Sequence, residues 1–291
     1  MRLWARMRPD GDARPPAPPL RDAELAALSR TLRELSIRMV HAARASHIGS
    51  CLSAADLLAV LYGGVLRVDP ARPDLPTRDR FILSKGHAAA VLYAALAERG
   101  FFPRSWLDDY CGDGAQLSGH ATHVGVPGVE VSTGSLGHGL SIACGMALAG
   151  AHDGVPYRVY VMLSDGECDE GSVWEAALFA PHHNLENLVV IVDYNKIQSY
   201  GSVAEVLELH PLADKWRAFR WGVREIDGHD HLAIAAALRA APFEPGRPSV
   251  LIAHTTKGRG ISFMEHQLAW HYKSPTDELL RQALAELDAS A

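Results

Sequence analysis

The stretch 158-RVYVMLSDGE-167, with 188-LVVIVDYNKI-197 after it, decides the fold class. Each stretch opens with an apolar run that does not alternate with polar residues, and residues 249–253 form a third such run. Continuous apolar runs are typical of parallel strands that are covered on both faces. Helical patterns over residues 173–182 and 232–240 separate the three runs. The sequence therefore predicts an α/β fold: a doubly wound, mostly parallel sheet with helices on both faces.

The remaining patterns fit one domain over residues 21–291, preceded by a tail. Residues 1–20 are rich in Arg and Pro and lack an apolar signal-peptide stretch, so we expect them to be disordered. Further elements are predicted as follows: a long helix from Leu25, a helix capped by Ser53 and running to about Leu66, a strand over residues 80–84, a helix from there to about Arg99, and a terminal helix over residues 278–288.

Composition excludes several classes of protein. The formal net charge of -6 argues against a nucleic-acid-binding protein, which needs clustered Lys and Arg. The four cysteines form no CxxC pair, and their spacing suggests neither a zinc site nor a disulfide framework. We see no apolar run that approaches the roughly 20 residues of a membrane span. A cytoplasmic location is the simplest expectation.

Polar residues follow two successive predicted strands at the point where each ends. Asp165 leaves the first strand beside Gly166, and Asn195 leaves the next at the matching level. Ligands of such sheets bind beyond the carboxyl ends of the strands. One carboxylate, one amide and the carbonyl of Ile197 would give Mg²⁺ three hard oxygens and leave places for phosphates and water. The alternative is a helix-capping Asp and a turn Asn; the pairing of the two strand ends favours a metal site.

At these residues the chain resembles the transketolase family. The segment 164-SDGE-167, with Asn195 one βα unit later, is similar to the thiamine-diphosphate motif, with Ser164 in place of its first Gly. Other segments resemble family motifs in order: 46-SHIG-49, 78-RDRF-81 with 84-SKGH-87, 118-SGH-120, 132-STGSLG-137, 226-IDGHD-230, 257-KGRG-260 and 270-WH-271. The likeness covers about residues 25–275, and it implies the thiamine-diphosphate-binding fold of a PP-type domain.

The resemblance implies a role for each matching position. Its cofactors would be thiamine diphosphate and Mg²⁺, or Ca²⁺ or Mn²⁺ in its place. The implied metal ligands are Asp165, Asn195 and Ile197. The implied cofactor-binding residues are His87 and Gly166 on the diphosphate, Gly134 and Leu136 on the rings, and Asp165, Asn195 and Lys257. The implied catalytic residues, which would point into the substrate channel, are His47, His120 and His271.

Two further residues matched by the resemblance are open to an alternative reading. Lys85, like Lys257, would add positive charge near the phosphates or the channel, with a solvated Lys as a close alternative. Glu170 resembles a family acid at the subunit contact, with an exposed helix residue as the alternative.

The resemblance also implies a partner. In the family, the Glu that hydrogen-bonds the cofactor's pyrimidine lies on the next domain, whereas this sequence ends at Ala291, where the first domain should finish. We therefore expect a C-terminal transketolase subunit with the pyrimidine-binding domain and the catalytic Glu, in an α2β2 heterotetramer. The expected activity is transfer of a two-carbon ketol unit from a ketose or its phosphate to an aldehyde.

Other functions remain as alternatives. The α subunit of a 2-oxo-acid dehydrogenase has a similar metal motif but would not carry the four histidine contexts. The motif 84-SKGH-87 disfavours 1-deoxyxylulose-5-phosphate synthase. A specialised biosynthetic ketol transferase and a non-catalytic regulatory subunit are further possibilities. Gly134, Gly137 and Gly139 have the wrong spacing for a dinucleotide-binding loop.

Overall fold

The sheet of the protein is parallel throughout, as its apolar runs predict. The structure, a computed structural model, describes residues 19–289. Five strands pair in the order β1-β2-β3-β5-β4, and every pair is parallel. Their bounds are β1 Arg80–Leu83, β2 Val159–Ser164, β3 Leu188–Tyr194, β4 Gly222–Asp227 and β5 Ser249–His254.

Helices cover both faces of this sheet, which confirms the doubly wound fold. Their bounds are α1 Asp22–Ala42, α2 Ile48–Val60, α3 Ala89–Glu98, α4 His138–Asp153, α5 Gly171–His182, α6 Val203–Val206, α7 Leu212–Ala218, α8 His231–Arg239 and α9 Asp277–Ala289. Helices α1, α2, α3, α8 and α9 share one apolar core with the sheet, and α4, α5 and α7 share the other.

Alternate side chains of one strand enter opposite cores. In β2, Tyr160 and Met162 belong to the first core, whereas Val159, Val161 and Leu163 belong to the second. Because neither face meets water, every position is apolar and the pattern loses its alternation. Each fully buried aliphatic side chain contributes about 1.5–3 kcal/mol to folding.

Helix α2 begins earlier than its sequence predicts. Ser53 does not cap it; the helix starts at Ile48, and Ser53 is fully buried in its interior with its hydroxyl 2.6 Å from Asp193 Oδ2. With a π-helical turn, Leu61–Val65, it forms an 18-residue stretch, Ile48–Val65, with a mean hydropathy of 1.6. That is apolar and long enough to span a membrane by composition alone, so the expectation of no such run is wrong. The stretch is 89% buried inside the domain, as the core helix of a globular fold is.

Strand β4 and helix α4 were not predicted from the sequence. Strand β4 lies at the edge of the sheet, where it has one neighbour and only Gly222 is fully buried. An edge strand needs no apolar run. Helix α4 is built mainly of Gly, Ala and Ser with few large apolar residues, so its period is weak.

A long loop crosses the carboxyl edge of the sheet before α4. Residues 110–137 contain neither helix nor strand. The loop is tied to the end of β1, because Thr133 donates to Leu83 O at 2.7 Å and Ala121 donates to Gly86 O at 3.1 Å. These bonds place residues of the loop above the strand ends.

Of the expected tail, residues 1–18 lie outside the described residues. Leu20 is described, and its backbone N–H donates to Gly63 O at 2.8 Å. The remaining boundaries agree with the predicted helices and strands to within a few residues, including the terminal helix.

Candidate active site

The tips of β2 and β3 are joined directly by Asp165. The register pairs Ser164 with Asp193, so the residues that follow come out side by side. One carboxylate oxygen of Asp165 accepts from Gly166 N at 2.8 Å, and the other accepts from Lys196 N at 2.5 Å. Lys196 is the neighbour of Asn195, whose side-chain oxygen accepts from Ile197 N at 3.2 Å. The predicted acid and amide therefore share one edge of the sheet.

All the site residues predicted from the sequence line one cavity of about 220 Å³. They are His47, His87, His120, Gly134, Leu136, Asp165, Gly166, Asn195, Ile197, Lys257 and His271. Four more lining residues were not predicted, namely Ser50, Ser164, Gln198 and Ser199. Ser164 belongs to the 164-SDGE-167 motif but was given no role; Ser50, Gln198 and Ser199 have polar side chains that no pattern marks.

The oxygens at the strand tips suit a hard divalent cation. Asp165 is buried, and burial, followed by the nearby charge of Asp193, raises the pKa of its carboxyl to about 6. A divalent cation would favour the charged form of such a carboxylate. The carbonyl of Ile197 accepts from the Lys257 ammonium at 2.7 Å, and its second lone pair is left for a cation. No group of three or more His, Cys, Asp or Glu residues within 19–289 could hold a metal ion, so phosphate oxygens would have to complete this ligand set.

Four imidazoles form the other wall of the cavity. The ring of His47 lies 5.0 Å from those of His87 and His271 and 5.9 Å from that of His120, measured between centroids. His47 has a left-handed backbone, φ 75°, immediately before α2, and its N–H donates to His271 O at 2.9 Å. This turn directs the His47 ring into the middle of the cluster.

Burial keeps the imidazoles of His47, His87 and His271 neutral. It lowers the pKa of His47 to about 4, aided by the charges of His120 and Lys257. Burial and the Lys257 charge lower the pKa of His271 to about 3, and burial and Lys85 hold the pKa of His87 well below its usual value. Neutral imidazoles can each donate and accept one hydrogen bond, which suits contact with sugar hydroxyl and carbonyl groups.

The proton of His271 is placed by Lys257. The Lys257 ammonium lies 3.1 Å from Nδ1 of His271, and an ammonium can only donate. Nδ1 is therefore the acceptor, and the proton of the neutral ring resides on Nε2. Burial lowers the pKa of Lys257 to about 8, so the ammonium is the main form at neutral pH.

Glu167 is a structural residue of the site that the sequence analysis did not single out. It is fully buried and accepts from Gly137 N at 2.8 Å and Ser164 N at 3.2 Å, and also from the Ser84 hydroxyl. Burial raises the pKa of this carboxyl. Its bonds tie the ends of β1 and β2 to the start of α4, and with it to the loop that carries Gly134 and Leu136. Its place directly after Ser-Asp-Gly was the only available signal.

Lys85 does not face the cavity, and it is not solvated. Its ammonium is fully buried and pairs with the Asp193 carboxylate, and it also donates to Ser50 O at 3.0 Å. Burial alone would raise the pKa of Asp193, but Lys85 and the hydroxyls of Ser53 and Thr255 offset it, so that pKa is lowered. The pair is a support beneath the site.

Gly166 and Glu170 also have packing roles. A Cβ on Gly166 would lie 2.7 Å from Cβ of Gln198, so Gly is required where the β2 and β3 loops meet. Glu170 is exposed at the start of α5, and its Cβ lies against Gly137. Gly166 is therefore required for its close contact with Gln198, whether or not a ligand is bound.

Comparison with known proteins identifies similar chains. The family model for the transketolase thiamine diphosphate binding domain matches residues 25–283. The 6-deoxy-6-sulfo-D-fructose transketolase subunit SqwG of Clostridium sp. is 43% identical over 260 residues, which cover 89% of this chain and 94% of the relative. One of the subunits of the apulose-4-phosphate transketolase of Phocaeicola vulgatus is 42% identical over 255 residues, 88% and 90% of the two chains.

Solved structures agree. Transketolase from Campylobacter jejuni superposes with a TM-score of 0.87 at 31% identity, covering 92% of this chain and 43% of the other. Transketolase from Leishmania mexicana gives 0.86 at 31% identity and covers 91% and 41%. The chain therefore spans about two fifths of the length of these solved transketolases and nearly all of the relatives named as subunits.

Proposed function

This chain belongs to the transketolase family, and we propose that it is the N-terminal, thiamine-diphosphate-binding subunit of a two-chain transketolase. The proposed reaction moves a two-carbon ketol unit from a ketose or ketose phosphate to an aldehyde. One observation carries the proposal: a single cavity combines hard oxygens at two strand tips with four imidazoles. Relatives that match this chain over most of their length are named as subunits of transketolases.

We assign the cofactor end of the cavity as follows. Asp165, Asn195 and the carbonyl of Ile197 would hold Mg²⁺, or Ca²⁺ or Mn²⁺. His87 and the Gly166 N–H would bind the diphosphate, and Lys257 would add positive charge. Bound thiamine diphosphate would supply the carbanion chemistry that breaks and forms the carbon–carbon bond.

The loop residues would orient the rings of the cofactor. The carbonyl of Gly134 would accept from the 4′-amino group, and Leu136 would pack against the bent molecule. Gly134 has φ 151°, and a Cβ there would lie 3.0 Å from Cδ2 of His120. The loop therefore brings the backbone and one channel imidazole close together.

The imidazoles would handle the sugar. His47, His120 and His271 would donate to and accept from its hydroxyl and carbonyl groups and hold it against the cofactor. The His271 proton on Nε2, fixed by the Lys257 contact, is available for such donation. The buried, neutral state of His47 and His271 supports hydrogen bonding in place of ion pairing with the substrate.

A second chain would complete the active site. The proposed partner is a C-terminal transketolase subunit with the pyrimidine-binding domain and its catalytic Glu, and the proposed assembly is α2β2. Helices α4 and α5 pack together, and each begins where a cavity segment ends. They expose large apolar side chains, namely Ile142, Leu148, Leu178 and Phe179. Ile142 also lines a cleft with Gly134, so the exposed apolar side chain of Ile142 lies next to the cavity.

Asp165→Ala is the direct test. Thiamine diphosphate binding in the presence of Mg²⁺, measured by calorimetry on the full chain with its partner, should weaken by roughly a hundredfold or more, because a buried charged ligand of the metal is lost. Ketol transfer should fall with it. The control is Asp153→Ala, which removes an exposed acid at the end of α4. Equal binding by wild type and Asp165→Ala would refute the assignment.

A further inference from the structure

A buried cluster outside the cavity surrounds Asp56 of α2. Its carboxylate accepts from Arg33 at 2.5 and 3.2 Å, from His229 Nδ1 at 2.7 Å and from His231 Nε2 at 2.9 Å. Asp56 is 3% exposed. Burial works against its charge, but Arg33 and the two histidines prevail and hold its pKa well below the usual range. The cluster is anionic at its centre and fully paired on the carboxylate.

His229 has its second partner in the backbone next to the cavity, whereas the second partner of His231 is the exposed Asp22, whose Oδ1 lies 3.7 Å from His231 Nδ1. Its Nε2 lies 2.9 Å from the backbone N of Thr256, which can only donate. Nε2 is therefore the acceptor, and the ring proton resides on Nδ1, where it is donated to Asp56. The Asp56 carboxylate thus fixes both the tautomer and the orientation of His229, as an acid does for a ligand imidazole.

Thr256 directly precedes Lys257 of the cavity. The neighbouring residues of this segment also form hydrogen bonds. The Thr255 hydroxyl donates to the Asp193 carboxylate, and the Gly258 N–H donates to Gly49 O at 3.1 Å. Lys257 itself has its carbonyl bonded to His266 N at 3.0 Å. Asp193 and His229 are the two titratable side chains among these partners, and His229 is the one bonded to the residue directly before Lys257.

We propose that His229, oriented by Asp56, is a positioning residue that sets the Thr256–Lys257 backbone and so places the Lys257 ammonium against Ile197 and His271. This inference rests on the proposed function, because it assigns Lys257 to the cofactor cavity. It gives a function to the segment 226-IDGHD-230, which contains none of the residues assigned to the cavity. His229 touches neither Lys257 nor the cavity and acts only through the backbone.

Matched variants separate positioning from general stability. His229→Leu removes the acceptor for Thr256, and His229→Gln restores one. His231→Leu removes a bond to Asp56 and a contact with the exposed Asp22, but no bond to the Thr256 backbone. The side chains of His229 and His231 are 10% and 12% exposed, so the two Leu variants suffer comparable burial changes. With Mg²⁺ and partner present, we expect the thiamine diphosphate Kd to rise roughly tenfold in His229→Leu. It should stay within about threefold of wild type in His229→Gln and His231→Leu.

A double-mutant cycle with Lys257→Ala tests the route of the effect. If His229 acts through Lys257, His229→Leu should add less than about twofold to the Kd of Lys257→Ala. The proposal would be overturned if the fold-increases in Kd of the two single variants multiplied in the double variant. A wild-type Kd in His229→Leu would also overturn it. So would an increase in Kd in His229→Gln as large as that in Lys257→Ala. If the Leu variant fails to fold, His229→Asn replaces it: Asn keeps a donor at the δ position for Asp56 but has no acceptor at the ε position for Thr256, so its Kd should also rise roughly tenfold.

Amide exchange provides a readout without any cofactor. The amides of residues 255–258 should exchange faster in His229→Leu than in His231→Leu or His229→Gln. Failure of the wild-type chain to bind thiamine diphosphate would refute the proposed function alone. Equal exchange in the His229→Leu and His231→Leu variants would refute the positioning role alone.

Discussion

Asp165 joins the ends of two strands and has a carboxylate suited to binding a cation. Both its oxygens are used by backbone N–H groups, one on its own turn and one on the tip of β3. Those bonds orient the carboxylate, and burial raises its pKa to about 6. A carboxyl that is oriented but disfavoured in its charged form is suited to binding a divalent ion.

The His cluster predicts how stability depends on pH. His47 takes up a proton near pH 6.5 in the unfolded chain and only near pH 4 in the folded one. Between those values the unfolded state binds more protons, so the free energy of unfolding falls as the pH decreases. In His47→Asn, which keeps a residue tolerant of positive φ, the decrease from pH 7 to 5 should be smaller by about 1 kcal/mol, allowing for solvent screening.

Urea unfolding of the isolated chain at pH 7, 6 and 5 measures this slope. His183→Gln, at an exposed position after α5, is the control and should keep the slope of the wild type. An unchanged slope in His47→Asn would show that His47 does not contribute to the pH dependence.

At the scale of elements, the start of α4 depends on a glycine. Gly137 has φ +83°, and a Cβ there would lie 2.4 Å from Ser172 Oγ and 2.7 Å from Glu170 Cβ. Its N–H also donates to the buried Glu167. The loop, α4 and α5 are therefore joined at one point that admits no side chain.

Gly137→Ala should lower the free energy of unfolding by about 2–3 kcal/mol, because it combines an unfavourable backbone conformation with a steric clash. Gly145→Ala, within the same helix, is the matched control. A Cβ there meets nothing within 4 Å, so this change should raise stability by about 0.5–1 kcal/mol. Denaturant unfolding of the isolated chain compares the two, and similar values for both would contradict the packing argument.

At the scale of the molecule, α4 exposes the apolar side chain of Ile142 in a cleft that Gly134 of the cavity also lines. If the partner covers α4 and α5, Ile142→Asp should weaken association of the two subunits by at least roughly tenfold, since a charge would enter an apolar contact. Leu232→Asp is the control, because Leu232 is 60% exposed on α8, on the other side of the sheet. Analytical ultracentrifugation or surface plasmon resonance with the purified partner gives both values.

Loss of association in Leu232→Asp with none in Ile142→Asp would place the partner on the opposite face.

Ketol transfer should require both chains. Full turnover by this chain alone with thiamine diphosphate and Mg²⁺ would refute the two-chain proposal.

The sequence by itself determined the central strands and the residues at their tips. Continuous apolar runs can be explained only by burial on both faces, and that burial demands helices on each side. Parallel strands then bring their carboxyl ends to one edge, so Asp165 and Asn195 had to meet. The motif resemblance added the four histidines, and the structure places them with the strand tips around one cavity.

Only the tertiary structure decided what supports that cavity. The pairing of Lys85 with Asp193, the three bonds to Glu167 and the link from Asp56 through His229 to Thr256 join residues distant in sequence. A buried polar residue is stabilised by whichever donors surround it, and no local period records those donors. Edge strand β4 and helix α4 were missed for a related reason: their conformation follows from the neighbours they pack against, while their own side chains carry little apolar pattern.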